Sequence, residues 1–411
     1  MRWLLPLCAS ALWAFGARAQ QTLPQGHFRV QLSQVYVQQT LPAFYLPHVL
    51  DEQSANALLQ AAGNGLFGDV SPHDLSLLSP GMSFFGEGVA TVTVSQIDYG
   101  VADWLTVSAI VPWYEVARVL PSVTANGALL GYNLDYDPRK PISLANFPLA
   151  APLSASAGLA SPLPTRAVTG TEGAQQIFTN VLGYHRAQRF DNYGIGDPYA
   201  ALTFSLLRRP GLRAAGSIYA QFPVGRPPDP DDPFAVSFGD GHTAIGGRCA
   251  LEDSEAGPLR VTLGARTLFP LRDHPILRVY TSSLIPLTGV YARERVSRLA
   301  GPQLGAFAGI ARLMLQDYLK PFLNVSYDRK FPDHLRGSRP ASDYAAVEDN
   351  SRWGMFSTEV GLAYTTVERF LAGESTFPGE ISLSYYYQVQ DHGLFGGLGQ
   401  HRLWLTFSTF L

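Results

Sequence analysis

Apolar and polar residues alternate with a period of two along several stretches of this chain. Within residues 97–116, the apolar members of the alternation are Leu105, Val107, Ala109, Val111 and Trp113. Thr106 and Ser108 fall between them. Because successive side chains of a β-strand point to opposite faces, the pattern predicts a strand with one apolar and one polar face. Ala109 is expected on the apolar face and Ser108 on the polar face.

The same alternation, together with segments of matching composition, predicts twelve strands. They lie near residues 28–37, 89–96, 105–113, 198–207, 212–222, 242–252, 259–269, 303–312, 319–330, 356–364, 380–390 and 402–411. Most of these segments run for about ten residues, the length that a tilted strand needs to cross a bilayer. Strands of soluble sheets are usually shorter. Residues 276–299 leave an alternative open, because they fit either a loop hairpin or two more spans, for about fourteen strands.

The connections between these strands alternate in length. Short connections lie near residues 99–103, 208–211, 254–258 and 315–318, and long ones near 40–83, 117–196, 225–240, 271–300 and 332–352. A connection near 368–377 is also long. Bacterial outer-membrane barrels have an even number of strands, short periplasmic turns and long extracellular loops. The sequence therefore predicts an all-β fold: a transmembrane antiparallel barrel of about twelve strands, with both termini on the periplasmic side. Pro112, Trp113 and Tyr114 are then expected where the strand of residues 105–113 leaves the hydrocarbon, because aromatic side chains favour that interface.

Two of the long loops carry helix signals. Asp51 precedes a predicted helix near 52–62, and Thr171 precedes another near 172–182, each followed by a glycine. Such cap and stop residues are typical of helix ends. Between them, Leu144–Pro164 is rich in Ala, Leu, Pro and Ser. This segment is interpreted either as a flexible extracellular loop or as an apolar surface that collects solutes.

The N-terminal residues have the features of a secretory signal peptide. Arg2 precedes an apolar run from Trp3 to Phe15, and Ala17-Arg18-Ala19 follows as a small-x-small cleavage site. We expect residues 1–19 to be removed and residues 20–411 to form the barrel. Cys249 is then the one cysteine left, so no internal disulfide is expected. No apolar run is long enough for a membrane-spanning helix.

Composition and motifs exclude several function classes. Charged residues make up 15% of the chain and the net charge is −3, so a nucleic-acid partner is not expected. Gly194 and Gly196 lack the third glycine of a dinucleotide loop. No metal-binding histidine or cysteine motif is present, and no cofactor is expected. The acidic stretch PPDPDDP (Pro227–Pro233) could bind Ca²⁺ weakly but is better interpreted as a solvated loop stiffened by proline.

Charged and polar residues recur on the strand faces assigned to the lumen. The candidate solute path consists of Arg213, Tyr219, Arg248, Glu252, Arg260, Arg266, Lys320, Asp328, Glu359 and Glu380, and Lys330 lies on the same face. Such charges would be very costly in a dry protein core. In a lumen they could form ion pairs that fill a narrow barrel, or a polar constriction that orients a solute with an anionic or hydroxyl group.

Two segments resemble a known family of outer-membrane proteins. YGVADWLTVSAIVPW (Tyr99–Trp113) is similar to the turn-and-strand signature of the MetA-pathway phenol-degradation family, and GIGDPYAALTFSLLRR (Gly194–Arg209) is similar to its next strand. The resemblance covers residues 84–270 and departs from the family pattern at Ala102 and Pro198. It implies a barrel related to the long-chain fatty acid transporters, which pass hydrophobic compounds. It does not specify the substrate.

The sequence therefore predicts a monomeric outer-membrane channel, not an enzyme, for passive uptake of small hydrophobic or aromatic compounds. Its expected partners are outer-membrane lipid, the solute and the barrel assembly machinery, which reads a C-terminal strand such as RLWLTFSTFL, here with the aromatic Phe410 penultimate. Two alternatives stay open. One is a barrel enzyme of the phospholipase type, which would need Ser, His and a polar orienting residue together on the outer face. The other is a plugged structural barrel.

Overall fold

The computed structural model describes the strands and part of the connections. The described residues are 22–46, 81–126, 131–133, 149–150, 165–167, 175, 179, 184–232, 235–253, 257–279, 293–315, 317–341, 344–349, 351–371, 373–390 and 399–411. The predicted helix near 52–62 lies outside them, as does most of Leu144–Pro164. Of the predicted helix near 172–182, only Gln175 and Thr179 are described.

Almost all of the described secondary structure is extended. The strands are β1 (Phe28–Leu46), β2 (Gly81–Ala102), β3 (Leu105–Asn126), β4 (Gly131–Asn133), β5 (Leu149–Ala150), β6 (Thr165–Ala167), β7 (Phe190–Ile195), β8 (Tyr199–Arg209), β9 (Leu212–Gln221), β10 (Ala244–Asp253), β11 (Leu259–Pro270), β12 (Ile276–Arg278), β13 (Arg293–Arg295), β14 (Ser297–Leu299), β15 (Gln303–Arg312), β16 (Leu319–Lys330), β17 (His334–Arg336), β18 (Trp353–Thr365), β19 (Gly379–Gln390) and β20 (Gly399–Phe410). Two helices fall within the described residues, α1 (Ala345–Asp349) and α2 (Val367–Leu371). No helix in the described part of the chain is long and apolar enough to cross a membrane.

Twelve strands close into an antiparallel barrel. They are β1–β3, β8–β11, β15, β16 and β18–β20, and each pairs with two neighbours. The first and last strands complete the ring: the backbone NH of Phe28 donates to the carbonyl of Leu411 at 2.9 Å, and the NH of Leu411 donates back at 2.8 Å. Closure leaves no unpaired edge, which a sheet facing lipid requires. The prediction of a twelve-strand barrel is confirmed.

The described residues of 276–299 add no spans to the barrel. In the described part of this segment, β12 pairs with β13, and β14 pairs with β17, in small sheets separate from the barrel. The alternative of about fourteen strands is therefore wrong. These short strands belong to loops at one end of the barrel, which we call the loop end. The opposite end, where tight turns such as Asp103–Trp104 and Pro210–Gly211 join the strands, is called the turn end.

The two faces of the wall differ as the alternation predicts. The outer face exposes large apolar side chains, including Leu263, Leu323, Val360, Leu383 and Leu405. The predicted facing within β3 is confirmed, since Ala109 is exposed on the outside and Ser108 is buried on the inside. Exposed aromatic side chains lie toward both ends of this outer belt, for example Tyr99, Trp104 and Tyr364 at the turn end and Trp113 and Tyr387 toward the loop end. An apolar belt between aromatic girdles is the outer surface of a transmembrane barrel.

Strands β2 and β3 are much longer than predicted, at 22 residues each. Strand β2 continues through the predicted turn at 99–103, and β3 continues ten residues into the predicted loop 117–196. The outer face of β3 gains charged side chains just beyond Trp113, although Val116 and Leu120 remain exposed there. Glu115 is the extra residue of a bulge and accepts hydrogen bonds from Gln34 and Thr93, and Arg118 pairs with Asp191. This change supports the prediction that the strand leaves the hydrocarbon near Trp113. Tyr114, also predicted at that interface, instead faces inward, because the alternation places it opposite Trp113.

Loops at the loop end pack against one another. Val279, Val296, Leu335 and Tyr344, drawn from residues 271–302 and 331–352, form a small apolar core. Asp231 is buried and accepts a hydrogen bond from Arg278 Nε at 2.8 Å. The interpretation of PPDPDDP as a fully solvated loop is therefore wrong at Asp231, since an arginine from another loop covers its carboxylate.

Candidate functional site

A chamber of about 770 Å³ occupies the turn-end half of the barrel interior. Its wall combines charged groups with apolar and aromatic ones such as Phe322, Trp404 and Phe410. Residues 22–27 also line it, because Thr22 and Leu23 tuck inside the barrel beside the β2–β3 turn. The Leu23 NH donates to Thr106 Oγ1 at 2.8 Å, and Thr22 Oγ1 donates to the Asp103 carbonyl at 2.7 Å.

The charged side chains of the chamber form short-range pairs. Lys320 Nζ lies 2.7 Å from Glu380 Oε2, and Arg260 Nη1 lies 3.3 Å from Glu252 Oε1. Glu359 instead accepts hydrogen bonds from two neutral groups, Asn324 Nδ2 and Ser384 Oγ, both at 2.8 Å. These pairs are partly exposed to the chamber, so a polar solute can exchange hydrogen bonds with them.

A denser polar layer lies closer to the loop end. Arg266 Nε donates to Asp328 Oδ1 at 2.8 Å, and a second guanidinium nitrogen of Arg266 contacts Asp328 Oδ2. Arg248 faces Arg266 directly across the β10–β11 pair and stacks on the Phe307 ring, 4.6 Å from its centroid. A buried pair of this kind depends on having both partners, because either charge alone would be stranded in a poorly hydrated place.

On the facing wall, a fully buried arginine completes this layer. Arg402 donates from Nε to Gln400 Oε1 at 2.9 Å and from Nη2 to Gln388 Oε1 at 2.8 Å. Its guanidinium lies 4.9 Å from the centroid of the Tyr386 ring. These side chains lie between the chamber and the loop end, where they form a strongly hydrogen-bonding layer.

Several inward aromatic rings pack directly against glycines of neighbouring strands. A Cβ built on Gly246 would lie 2.3 Å from Tyr219 Cζ, and one built on Gly264 would lie 2.1 Å from Phe307 Cζ. Glycine at these positions lets the rings fold back on the wall instead of projecting across the lumen. The Tyr219 hydroxyl then reaches the Thr267 carbonyl at 2.7 Å.

The Gly246→Ala substitution should therefore lower the free energy of unfolding by about 1–3 kcal/mol, because the new methyl group overlaps both the Tyr219 ring and the Thr267 carbonyl oxygen. Denaturant unfolding of the barrel in lipid vesicles measures this change. Gly247→Ala is the matched control, since the nearest atom to its Cβ would be 3.7 Å away. Equal stability of the two variants would contradict the packing described for Tyr219.

All ten residues of the candidate solute path lie on the inner face of the wall. The chamber contains Arg213, Glu252, Arg260, Lys320, Glu359 and Glu380. Tyr219, Arg248, Arg266 and Asp328 belong to the layer nearer the loop end. Lys330 also faces inward and contacts Asp333 at the loop end. The structure thus divides these residues between two levels, a division that the sequence pattern does not contain.

Some interior residues were missed by the sequence analysis. Arg402 lies on a predicted strand, so counting every second residue of 402–411 would have found it. Tyr386 falls on the polar face that the alternation predicts within 380–390, but it is not among the candidate site residues. Arg29 and Asp98 form a 2.7 Å ion pair, but Asp98 borders the predicted turn and Arg29 lies in a strand assigned without a face. The docking of Thr22 and Leu23 has no signal in the alternation, since it depends on the shape of the barrel mouth.

The motifs set aside at the sequence level have structural explanations. Gly194 makes room for the Phe238 ring, and Gly196 makes room for Pro112 and Tyr114. Among the described residues, no group of three His, Cys, Asp or Glu side chains is placed to bind a metal ion. His401, on the outer face, forms a hydrogen bond with the Tyr385 hydroxyl. Among the residues that the structure describes, no hydrogen bond joins a serine side chain to a histidine side chain.

A closed antiparallel barrel with an apolar outer belt and a charged interior belongs to the class of transmembrane β-barrels of bacterial outer membranes. Among solved structures, the chain is similar in architecture to the COG4313 outer membrane channel from Pseudomonas putida F1, with a TM-score of 0.48, 12% identity and coverage of 95% of this chain and 97% of that one. It is also similar to a Pseudomonas aeruginosa FadL homologue, with a TM-score of 0.33, 9% identity and coverage of 94% of this chain and 90% of that one. A third similar structure is the CymD monoaromatic hydrocarbon channel, with a TM-score of 0.32, 10% identity and coverage of 94% of this chain and 88% of that one.

No protein-family model matches the chain, and no curated protein matches it. The resemblance to the MetA-pathway family therefore stays a prediction.

Proposed function

We propose that this protein is an outer-membrane channel for passive uptake of small hydrophobic or aromatic compounds. The observation that carries this proposal is the chamber of about 770 Å³ inside the closed wall, whose lining combines aromatic side chains with hydrogen-bonding groups. Ligand sites of small molecules are commonly apolar concavities with a few well-placed polar groups. The proposal includes export with cleavage after Ala19, and the ten inward residues named above as the solute path.

The inner-wall glycines support passage of a solute. Because Tyr219 and Phe307 lie back on Gly246 and Gly264, their rings occupy wall space instead of lumen space. A plugged structural barrel, the rival proposal, is favoured by the buried Arg266–Asp328 pair and by Arg402, which fill part of the interior. A measurement of solute flux through the barrel distinguishes the two proposals, because a plugged barrel passes none.

Vesicles with lipopolysaccharide in the outer leaflet are the appropriate test system, since phospholipid alone is a poor barrier to aromatic compounds. We expect wild-type protein to accelerate entry of 1-naphthol, followed by its fluorescence, several-fold over empty vesicles. Ala311→Trp should abolish most of this acceleration, because Ala311 faces the chamber. Ala308→Trp, on the outer face of the same strand, should leave entry unchanged.

Folding of each variant is checked by heat-modifiable gel mobility, and N-terminal sequencing of the preparation checks the expected start at Gln20. A folded wild-type protein that admits no naphthol and no other aromatic probe would favour the plugged barrel. Release of fatty acid from the vesicle lipids, lost on changing one serine or histidine, would favour the phospholipase alternative.

A further inference from the structure

The β8–β9 hairpin places arginines against each other at the turn end. Arg208 and Arg213 are direct cross-strand partners in the register, and both line the chamber. Arg209 follows in the same turn, which closes at Pro210 and Gly211. Like charges directly opposite each other on a sheet destabilise it. Nothing in the turn geometry requires arginine at either position, so the fold alone does not account for the pair.

Neither guanidinium of the Arg208–Arg213 pair is neutralised by a carboxylate in the part of the chain that the structure describes. Arg208 donates to Ser205 Oγ at 2.8 Å and contacts two other neutral oxygens, Thr22 Oγ1 and the Asp103 carbonyl. Arg213 has no hydrogen bond or ion pair among the described residues. Its charge therefore faces the chamber.

The nearest carboxylates point elsewhere. Glu252 is the cross-strand neighbour of Arg213 on β10, but its Oε1 lies 3.3 Å from Arg260 Nη1. The Asp103 carboxylate accepts the backbone NH of Gln25 at 2.9 Å and lies beyond ion-pair distance of Arg208. Among the described residues that line the chamber, six Lys or Arg side chains face four Asp or Glu side chains. Arg29 is paired with Asp98, and the remaining excess lies in the β8–β9 hairpin, which contributes three arginines to the lining. The chamber therefore carries a positive excess at its β8–β9 side.

The same chamber has an apolar part. Phe322 from β16, and Trp404 and Phe410 from β20, contribute aromatic surface to its lining. A cavity that offers guanidinium groups at one place and aromatic rings at another suits a ligand with one charged and one apolar end. Guanidinium suits carboxylate in particular, because its planar fork of N–H donors matches the two carboxylate oxygens.

We propose that Arg208 and Arg213 form an anion-binding site at the turn-end mouth of the chamber, which takes the carboxylate of a small aromatic acid. This inference deepens the proposed function and rests on it, by naming aromatic carboxylates as the solute class. Arg213 is the binding residue with its hydrogen-bonding capacity unused. Arg208 also contacts Thr22 Oγ1, so it links the site to the N-terminal residues that line the chamber.

Binding of three ligands that share one ring tests this site: 4-fluorobenzoate, 4-fluorobenzyl alcohol and 4-fluorobenzylammonium, followed by ¹⁹F NMR line broadening with the full-length mature barrel in detergent. The benzoate should bind tightest. Arg213→Gln should weaken benzoate binding about tenfold, the loss expected for one charge-assisted hydrogen bond, and leave the alcohol unchanged. Arg213→Lys should retain part of the affinity. Micelles without protein correct for partitioning.

The matched control is Arg312→Gln, which removes the same charge from the outer face at the same end of the barrel. It should leave benzoate binding unchanged. The proposal is overturned if the benzoate binds no better than the alcohol, or if the Arg312 and Arg213 variants weaken it equally. Naphthol entry without benzoate preference would remove this site and keep the channel. Benzoate binding without naphthol entry would support the anion-binding site and count against the channel.

Discussion

The Asp328→Ala substitution is expected to lower the free energy of unfolding by about 3–5 kcal/mol, the range for removing one partner of a buried ion pair. Asp328 is 1% exposed and accepts two contacts from Arg266. Without the carboxylate, Arg266 would remain buried with Arg248 directly across the strand pair, so two like charges would face each other without their acidic partner.

Denaturant unfolding of the barrel in lipid vesicles measures this loss. Asp349→Ala is the control, because its 3.1 Å pair with Arg352 lies on the surface at the end of α1, where exposed ion pairs contribute about 0–1 kcal/mol. The double variant Arg266→Met/Asp328→Leu should recover most of the stability, since it removes both charges together. A single variant as stable as the control would show that the pair does not stabilise the barrel.

The second large effect concerns the two faces of β16. Leu323→Arg should destabilise the barrel by roughly 2–4 kcal/mol, the cost of a basic side chain on the lipid face near the bilayer centre. Leu323 is exposed on the outside, whereas its neighbour Asn324 faces the chamber. The Asn324→Arg substitution should be nearly neutral, because the new guanidinium can donate to Glu359, which already accepts from Asn324 at 2.8 Å.

The two β16 variants change adjacent residues at one depth, so their comparison isolates the facing of the strand from its distance to the membrane surface. Unfolding midpoints in vesicles of fixed lipid composition give the measurement. Comparable destabilisation by both substitutions, or greater damage from the inward one, would be incompatible with the assignment of the outer face to lipid.

The sequence by itself determined the twelve spans and, where the alternation is regular, the facing of their residues. Period-two alternation is a local property, and a strand in lipid must present apolar side chains outward, so Ala109 and Ser108 could be assigned without knowledge of any neighbour. The inward charges followed from the same count. Arg402 follows from that count as well, because it precedes the outward-facing Leu403 on its strand.

Only the tertiary structure decided which inward residues meet and where the interior is open. The Arg266–Asp328 pair joins β11 to β16 across Gly305 of β15. A Cβ built on Gly305 would lie 1.9 Å from Asp328 Oδ1, so only glycine leaves room for the pair. The chamber, the opposed Arg208 and Arg213, and the residues 22–27 that line the mouth all depend on register and closure. These are set by pairing between strands that are distant in sequence, whereas alternation reports only which way each side chain points.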